Sequence, residues 1–186
     1  MGRYDGPLRD IVHAWKYGPR RSLARPIGAL VREVAGELRL MSDAVVPVPL
    51  HPTRRRERGF NQAEDLARQM GLPVLLALRT VRRTLPQAPL TVAARRRNVR
   101  GAFALAPMPL WCSLREWRSK PRRVALRRRN RIALMRARVA GSRLLLVDDV
   151  STTGATLEAC AAVLKEAGAA SVTAVTAARA VHARRR

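Results

Sequence analysis

Apolar residues at Leu8, Ile11, Val12 and Trp15 recur at the three- and four-residue spacing of a helix that buries one side, and Ile27, Leu30, Val31, Val34 and Leu38 repeat the pattern. Two amphipathic helices are predicted, each with its stripe against a core. The run AVVPVPL at 44–50 is β-branched and apolar, but Pro47 and Pro49 lack the N–H that a sheet ladder needs. Its distal half is therefore no ordinary central strand, and a strand running into a rigid loop is expected. Asn61 with Glu64 three residues on has the form of a helix N-cap, and Gly71 followed by Pro73 that of a stop, predicting a helix over 61–70.

The run LLLVDDV at 144–150 is continuously apolar until it ends in two acids. STTGAT follows, then a helical pattern through Leu157, Ala161 and Leu164 that Gly168 stops, then the strand-like SVTAVTA at 171–177. A βαβ unit results, with its loop at the carboxyl end of the first strand.

Composition agrees with α/β. In 186 residues, 47% are apolar but only 4% aromatic, so Leu, Val and Ala fill the core and small residues favour close helix-on-sheet packing. One domain is expected over 1–186. Cys112 and Cys160 are isolated and build neither a CxxC zinc site nor a disulfide framework from this chain alone, which fits a reducing cytoplasm. His13, His51 and His182 are too scattered to argue for metal binding or proton transfer. The first ten residues carry no hydrophobic signal region and no apolar run nears the roughly 20 residues of a membrane span, so a soluble, cytoplasmic protein without membrane insertion is expected.

Charge changes the picture. A net +24 exceeds what solubility needs and attracts polyanions: nucleic acid, acidic membrane or phosphorylated small molecules. Between residues 107 and 140, eleven Lys and Arg face one acid, Glu116, with Trp111 and Trp117 nearby. That density suits single-stranded DNA, with arginines on phosphates and rings on bases, and equally suits a solvated basic linker.

The candidate chemistry lies at 148–156. Asp148 and Asp149 stand where strand meets loop, and Ser151, Thr152, Thr153, Gly154, Ala155 and Thr156 bring hydroxyls and backbone N–H groups to a helix start, which suits a phosphate. Ionised acids beside an anion loop accept hydrogen bonds from vicinal sugar hydroxyls, so the set points to a sugar phosphate. The structural alternative is that the acids cap the helix and the threonines satisfy a tight turn.

VDDVSTTGAT resembles the motif by which type I phosphoribosyltransferases bind phosphoribosyl pyrophosphate (PRPP). VPVPLHPTRRRERGFNQAEDLAR at 46–68, AWKYG at 14–18 and RRRNVRGAF at 95–103 resemble the ComF competence-protein family. The resemblance implies an α/β parallel-sheet phosphoribosyltransferase type I fold with helices on both faces, PRPP as ligand and Mg²⁺ as its cofactor. It implies that 49–58 is a pyrophosphate-facing loop, to which His51, Arg54, Arg55, Arg56 and Arg58 belong; a solvated basic face is the alternative. It implies a mobile segment over 87–101 that covers PRPP, with Gln87, Arg95 and Asn98 at the family's Q, R and N positions.

Two departures stand out. Many relatives open with a cysteine-rich zinc ribbon, which this sequence lacks, through true absence or a truncated start, and 107–136 is extra sequence. Two functional classes stay open. One is phosphoribosyl transfer from PRPP, its acceptor unidentified. The other is a nucleotide- or single-stranded-DNA-binding accessory of natural transformation, with competence-machinery proteins as partners.

Overall fold

A computed structural model describes residues 2–3, 6–17, 21–82, 92–109 and 128–180. Gln87, Trp111, Cys112, Glu116, Trp117 and His182 lie outside that set, and the side chain of Arg95 is not described either. The main sheet joins β1 (Gly2–Arg3), β2 (Ala44–Pro47), β5 (Arg143–Ser151) and β6 (Ser171–Arg179) in the order β1-β6-β5-β2, every pair parallel. A second sheet is one antiparallel pair, β3 (Leu78–Thr80) with β4 (Phe103–Leu105).

β5 is central, and its sequence says why. Leu144, Leu145, Leu146 and Val147 are all essentially inaccessible, as a strand with helices on both faces requires, so apolar residues run without alternation. Pleating sends them to two cores. Leu144 and Leu146 join Val46, Val48, Met135, Val139, Cys160 and Leu164 on one face, covered by α6 (Arg128–Val139) and α7 (Ala155–Glu166). Leu145 and Val147 join Val45, Val175 and Ala177 on the other, covered by α2 (Ala24–Leu40) and α4 (Gln62–Gln69), with Trp15 from α1 (Gly6–Tyr17). Truncating any one of these leucines to Ala removes about 2–5 kcal/mol.

Helix α2 departs from its predicted stripe. Ile27 and Val31 are buried, but Leu30 and Val34 are 63% and 55% exposed. The buried side is instead Ala24, Ile27, Gly28, Val31 and Ala35. Small residues explain it: a Cβ on Gly28 would stand 2.5 Å from Cγ of Gln69, so the glycine lets α4 lie directly on α2. Elsewhere, α4 starts where predicted, with Asn61 Oδ1 accepting from the Ala63 N–H at 3.1 Å, and Gly71 terminates it at φ 68°.

Residues 49–58, expected as a loop, are a loop only to His51. Pro52–Arg58 forms α3, with Pro52 in the first turn and His51 Nδ1 accepting from the Thr53 N–H at 3.3 Å. β3, β4 and the intervening α5 (Val92–Val99) form a unit that packs on α7. Arg82 closes its base, donating to the carbonyl oxygens of Asn98 at 2.9 Å and Arg100 at 3.0 Å.

Candidate functional site

Three segments meet at the carboxyl end of the sheet. The Val48 N–H donates to the Val147 oxygen at 2.9 Å, so the loop after β2 begins beside Asp148. The Ala180 N–H donates to the Ser151 oxygen at 2.9 Å, which brings the end of β6 to the same place. Between them β5 continues through the acids: Asp148, Val150 and Ser151 pair with Thr176, Ala178 and Arg179. The bend proper is Thr152–Gly154, shorter than the predicted loop.

Gly154 enters α7 at φ 79°, a left-handed conformation costly for any residue with a Cβ. The N-cap residue, Gly154, has no side chain to cap the helix, whose positive N-terminal end faces the space above it. A shallow, solvent-open depression lies there, lined by Asp148, Val150, Ser151, Thr152, Gly154, Ala155, Thr156 and Leu157. Six of these were predicted; Val150 and Leu157 are added by the fold. Asp149 and Thr153 are not in the lining. Thr153 turns to its own backbone, Oγ1 accepting from the Ala155 N–H at 3.5 Å. Asp149 alternates with Asp148, placing the two acids on opposite sides of the strand end. The Asp149 N–H donates to Asp148 Oδ1 at 2.9 Å, which fixes that carboxylate's orientation. Below the cleft, burial and then the Asp148 charge push the Cys160 thiol well above its ordinary pKa, so it stays protonated and inert.

The arginines divide into held and unheld. Buried Glu64 and Asp65 open α4, and both bind cations. Arg55 forks onto Glu64 at 2.9 and 3.3 Å, and Arg68 reaches Glu64 at 3.4 Å and Asp65 at 2.9 Å. Arg21 forks onto Asp65 at 2.9 and 2.8 Å, lies 5.4 Å from the Phe60 ring centroid, and is held more firmly protonated by the Asp65 hydrogen bond. Arg58 donates to Gln62 Oε1 at 3.4 Å. So Arg55, predicted to face phosphate, is engaged as a strut between α3 and α4. Arg54 and Arg56 make no ion pair among the described residues. Thr80 Oγ1 donates to the Pro49 oxygen at 3.3 Å, tying the small sheet to the loop after β2. Asn98, on α5, is half-buried. Sequence reading took Glu64 only as part of the helix cap and missed Arg21, Asp65 and Arg68, whose signal is the adjacent acids 64 and 65 in the first helical turn with an arginine one turn on.

Residues 27–186 match the model of the phosphoribosyl transferase domain. Competence protein F of Haemophilus influenzae is 32% identical over 178 residues, covering 90% of this chain and 66% of that protein. The DNA utilization protein YhgH of Salmonella typhi is 30% identical over 179 residues, covering 91% and 66%. The chain thus spans just under two thirds of the length of these curated relatives. Among solved structures, glutamine PRPP amidotransferase from B. subtilis is similar at 20% identity and TM-score 0.48, over 89% of this chain and 30% of that one.

Proposed function

Because the chain belongs to the phosphoribosyl transferase domain family, with competence protein F and DNA utilization proteins among its relatives, we propose that the cleft over Gly154 binds PRPP and presents its anomeric carbon for transfer. The fold is that of the type I phosphoribosyltransferases. One observation carries the reading: an oriented carboxylate, Asp148, shares a cleft with a helix N-terminus and the hydroxyls of Ser151, Thr152 and Thr156.

In this reading the N–H groups of 152–156 hold the 5′-phosphate, aided by the positive helix end. Asp148 and Asp149 straddle the strand end and accept from the ribose hydroxyls. Arg54 and Arg56 meet the pyrophosphate from α3, while Arg55 keeps that helix in place. Arg95 and Asn98, on α5, belong to the segment assigned to cover PRPP, and His51 contributes by capping α3. The bond from C1 to the pyrophosphate oxygen breaks, its electron pair leaving with pyrophosphate. An acceptor lone pair forms the new bond to C1, and the acceptor's proton passes to water. Positioning and charge neutralisation supply the catalysis.

Among the described residues no three His, Cys, Asp or Glu side chains group to hold a metal ion. Mg²⁺ would be brought with PRPP and held near Asp148 and Asp149, where it would neutralise pyrophosphate charge. Calorimetry with PRPP, with and without Mg²⁺, tests the reading. Each charged hydrogen bond to ribose contributes about 1.5–3 kcal/mol, so Asp148→Asn should weaken PRPP at least tenfold with Tm preserved; undiminished affinity in Asp148→Asn/Asp149→Asn would end the assignment.

A second reading, an accessory role in DNA uptake, is favoured by one surface. Arg129, Arg136 and Arg138 are exposed on α6, the one described part of the extra sequence that is helical. Replacing Arg129, Arg136 and Arg138 with Gln should leave the sheet intact and flatten the salt dependence of single-stranded DNA binding by about 0.7 per lost phosphate contact; an unchanged slope would exclude that face from DNA binding. No helix of the described residues is long and apolar enough to cross a membrane.

A further inference from the structure

Five of the nine large apolar side chains that stand exposed among the described residues gather on the later part of α2 and its end: Leu30, Val34, Leu38, Leu40 and Met41, at 63, 55, 39, 72 and 62%. Scattered singly, such residues are ordinary; gathered, they mark a contact surface. Neighbours fix the side on which α2 carries them. Gly28 faces Gln69 and Arg32 lies against Gly71, so positions 28 and 32 look toward α4. At 3.6 residues per turn, Leu30 and Val34 stand on the flank away from α4. Helix α4 packs over β5 and β2 while α2 packs over β6, so this flank looks outward past β6. Beyond the bend at Gly36, Leu38, Leu40 and Met41 carry the apolar surface to the amino end of the sheet, where the Asp43 N–H meets the Arg143 oxygen.

An open strand edge lies at the same end. On its inner side β6 pairs with β5 from Ser171 onward, but on its outer side β1 pairs only with Ala178 and Arg179. Residues 171–174 therefore have no strand on their outer side among the described residues, and they are half-buried or exposed. Nothing in SVTA discourages pairing, for it holds no charge and no proline. Thr173 is half-buried, yet its Oγ1 is inaccessible and has no hydrogen-bond partner.

We propose that this side of the molecule is a two-fold interface between copies of this chain. A two-fold axis normal to the sheet beside β6 sets residues 171–174 antiparallel to their own copy at the strand spacing of about 4.8 Å. The same rotation lays α2 antiparallel to its copy on one face of the joined sheet, apolar flank to apolar flank, at the usual separation of about 8–10 Å between axes. One operation thus covers both features, whereas a lone foreign strand would pair the edge and leave Leu30 and Val34 wet. Charge selects the same occupant. Arg25 and Arg32, seven residues apart, share the α4 side, Glu33 and Glu37 border the apolar flank, and the strand edge is neutral. Two chains of net +24 meet here without bringing their arginines together. The contact lies at the end of the sheet opposite Gly154 and is independent of what the cleft binds.

Sedimentation velocity of the full chain over a concentration series tests the interface. Wild type should pass from monomer to dimer, and Leu30→Glu/Val34→Glu should weaken the dimer at least about tenfold with Tm unchanged; Leu30→Gln/Val34→Gln repeats the test without new charge. Added salt should tighten association, because it screens the repulsion of like-charged copies and breaks no ion pair. Amide exchange locates the strand half: residues 171–174 should slow as wild type is concentrated, but not in Leu30→Glu/Val34→Glu, while 144–147 exchange alike throughout. A wild type that is monomeric at every concentration overturns the proposal. So does a dimer that survives both double variants, which puts the contact elsewhere, or one that forms without protecting 171–174, which excludes sheet extension. Dissociation by added salt would identify an ion-paired contact and reject this one.

Discussion

Asp65 is the residue on which the arrangement around α4 depends most, and replacing it with Asn isolates the charge at nearly constant volume. Its side chain is 7% exposed and accepts three charge-assisted hydrogen bonds, two from Arg21 and one from Arg68, at 2.8 to 2.9 Å. Breaking a buried pair by removing one partner typically costs 3–5 kcal/mol. Here the two arginines are 60% and 53% exposed, so water takes over much of what they lose. A loss of about 2–3 kcal/mol is expected. At roughly 2–4 °C per kcal/mol for a chain of this size, Tm should fall by about 4–12 °C, read by far-ultraviolet circular dichroism in matched buffers. Arg21→Gln must cost less, because it leaves Asp65 still bonded to Arg68 and strands no cation. The reasoning is refuted if Asp65→Asn melts with the wild type, or if Arg21→Gln is the more damaging change.

Gly28→Ala should destabilise in spite of alanine's higher helix propensity, because the new methyl would lie 2.5 and 2.8 Å from Cγ and Cβ of Gln69; overpacking of about 1–3 kcal/mol outweighs a gain of about 1, and urea midpoints decide it. Arg143 hydrogen bonds hold Asp43 below its ordinary pKa of 3.8. A depressed folded pKa gives stability that is complete above the unfolded value and is lost as pH falls through the folded one. Asp43→Asn should therefore flatten the stability profile below about pH 4 and leave the neutral plateau's shape unchanged. Cys160, fully buried and raised in pKa, should resist alkylation in native protein at pH 8 and react once urea unfolds the chain; mass spectrometry of its own peptide separates it from Cys112.

Much of this was legible in the residues, and the exceptions have physical reasons. The run LLLVDDV announced a strand buried on both faces, and Gly154 and Gly168 bracketed α7. The acids themselves looked like loop, yet pairing to β6 carries the strand through Ser151 and separates Asp148 from Asp149 by one pleat. Likewise β6, expected to stop at residue 177, runs on to Arg179 because it pairs with the extended end of β5. Helix α3 was unreadable because PTRRRER has no apolar period; its start is set by Pro52 and the His51 cap instead. β3 and β4 are three residues each and 22 residues apart, with no alternation long enough to register. The stripe of α2 misled because close approach at Gly28 counted for more than hydrophobicity at Leu30 and Val34.

Amide hydrogen exchange of the full chain with and without PRPP and Mg²⁺ tests the central claim most directly. If the helix start over Gly154 holds the 5′-phosphate, peptides spanning 150–158 should slow on adding PRPP, most at the amides of 152–156, while the buried centre of β6 is unchanged. Exchange at 152–156 that is indifferent to saturating PRPP would contradict the account.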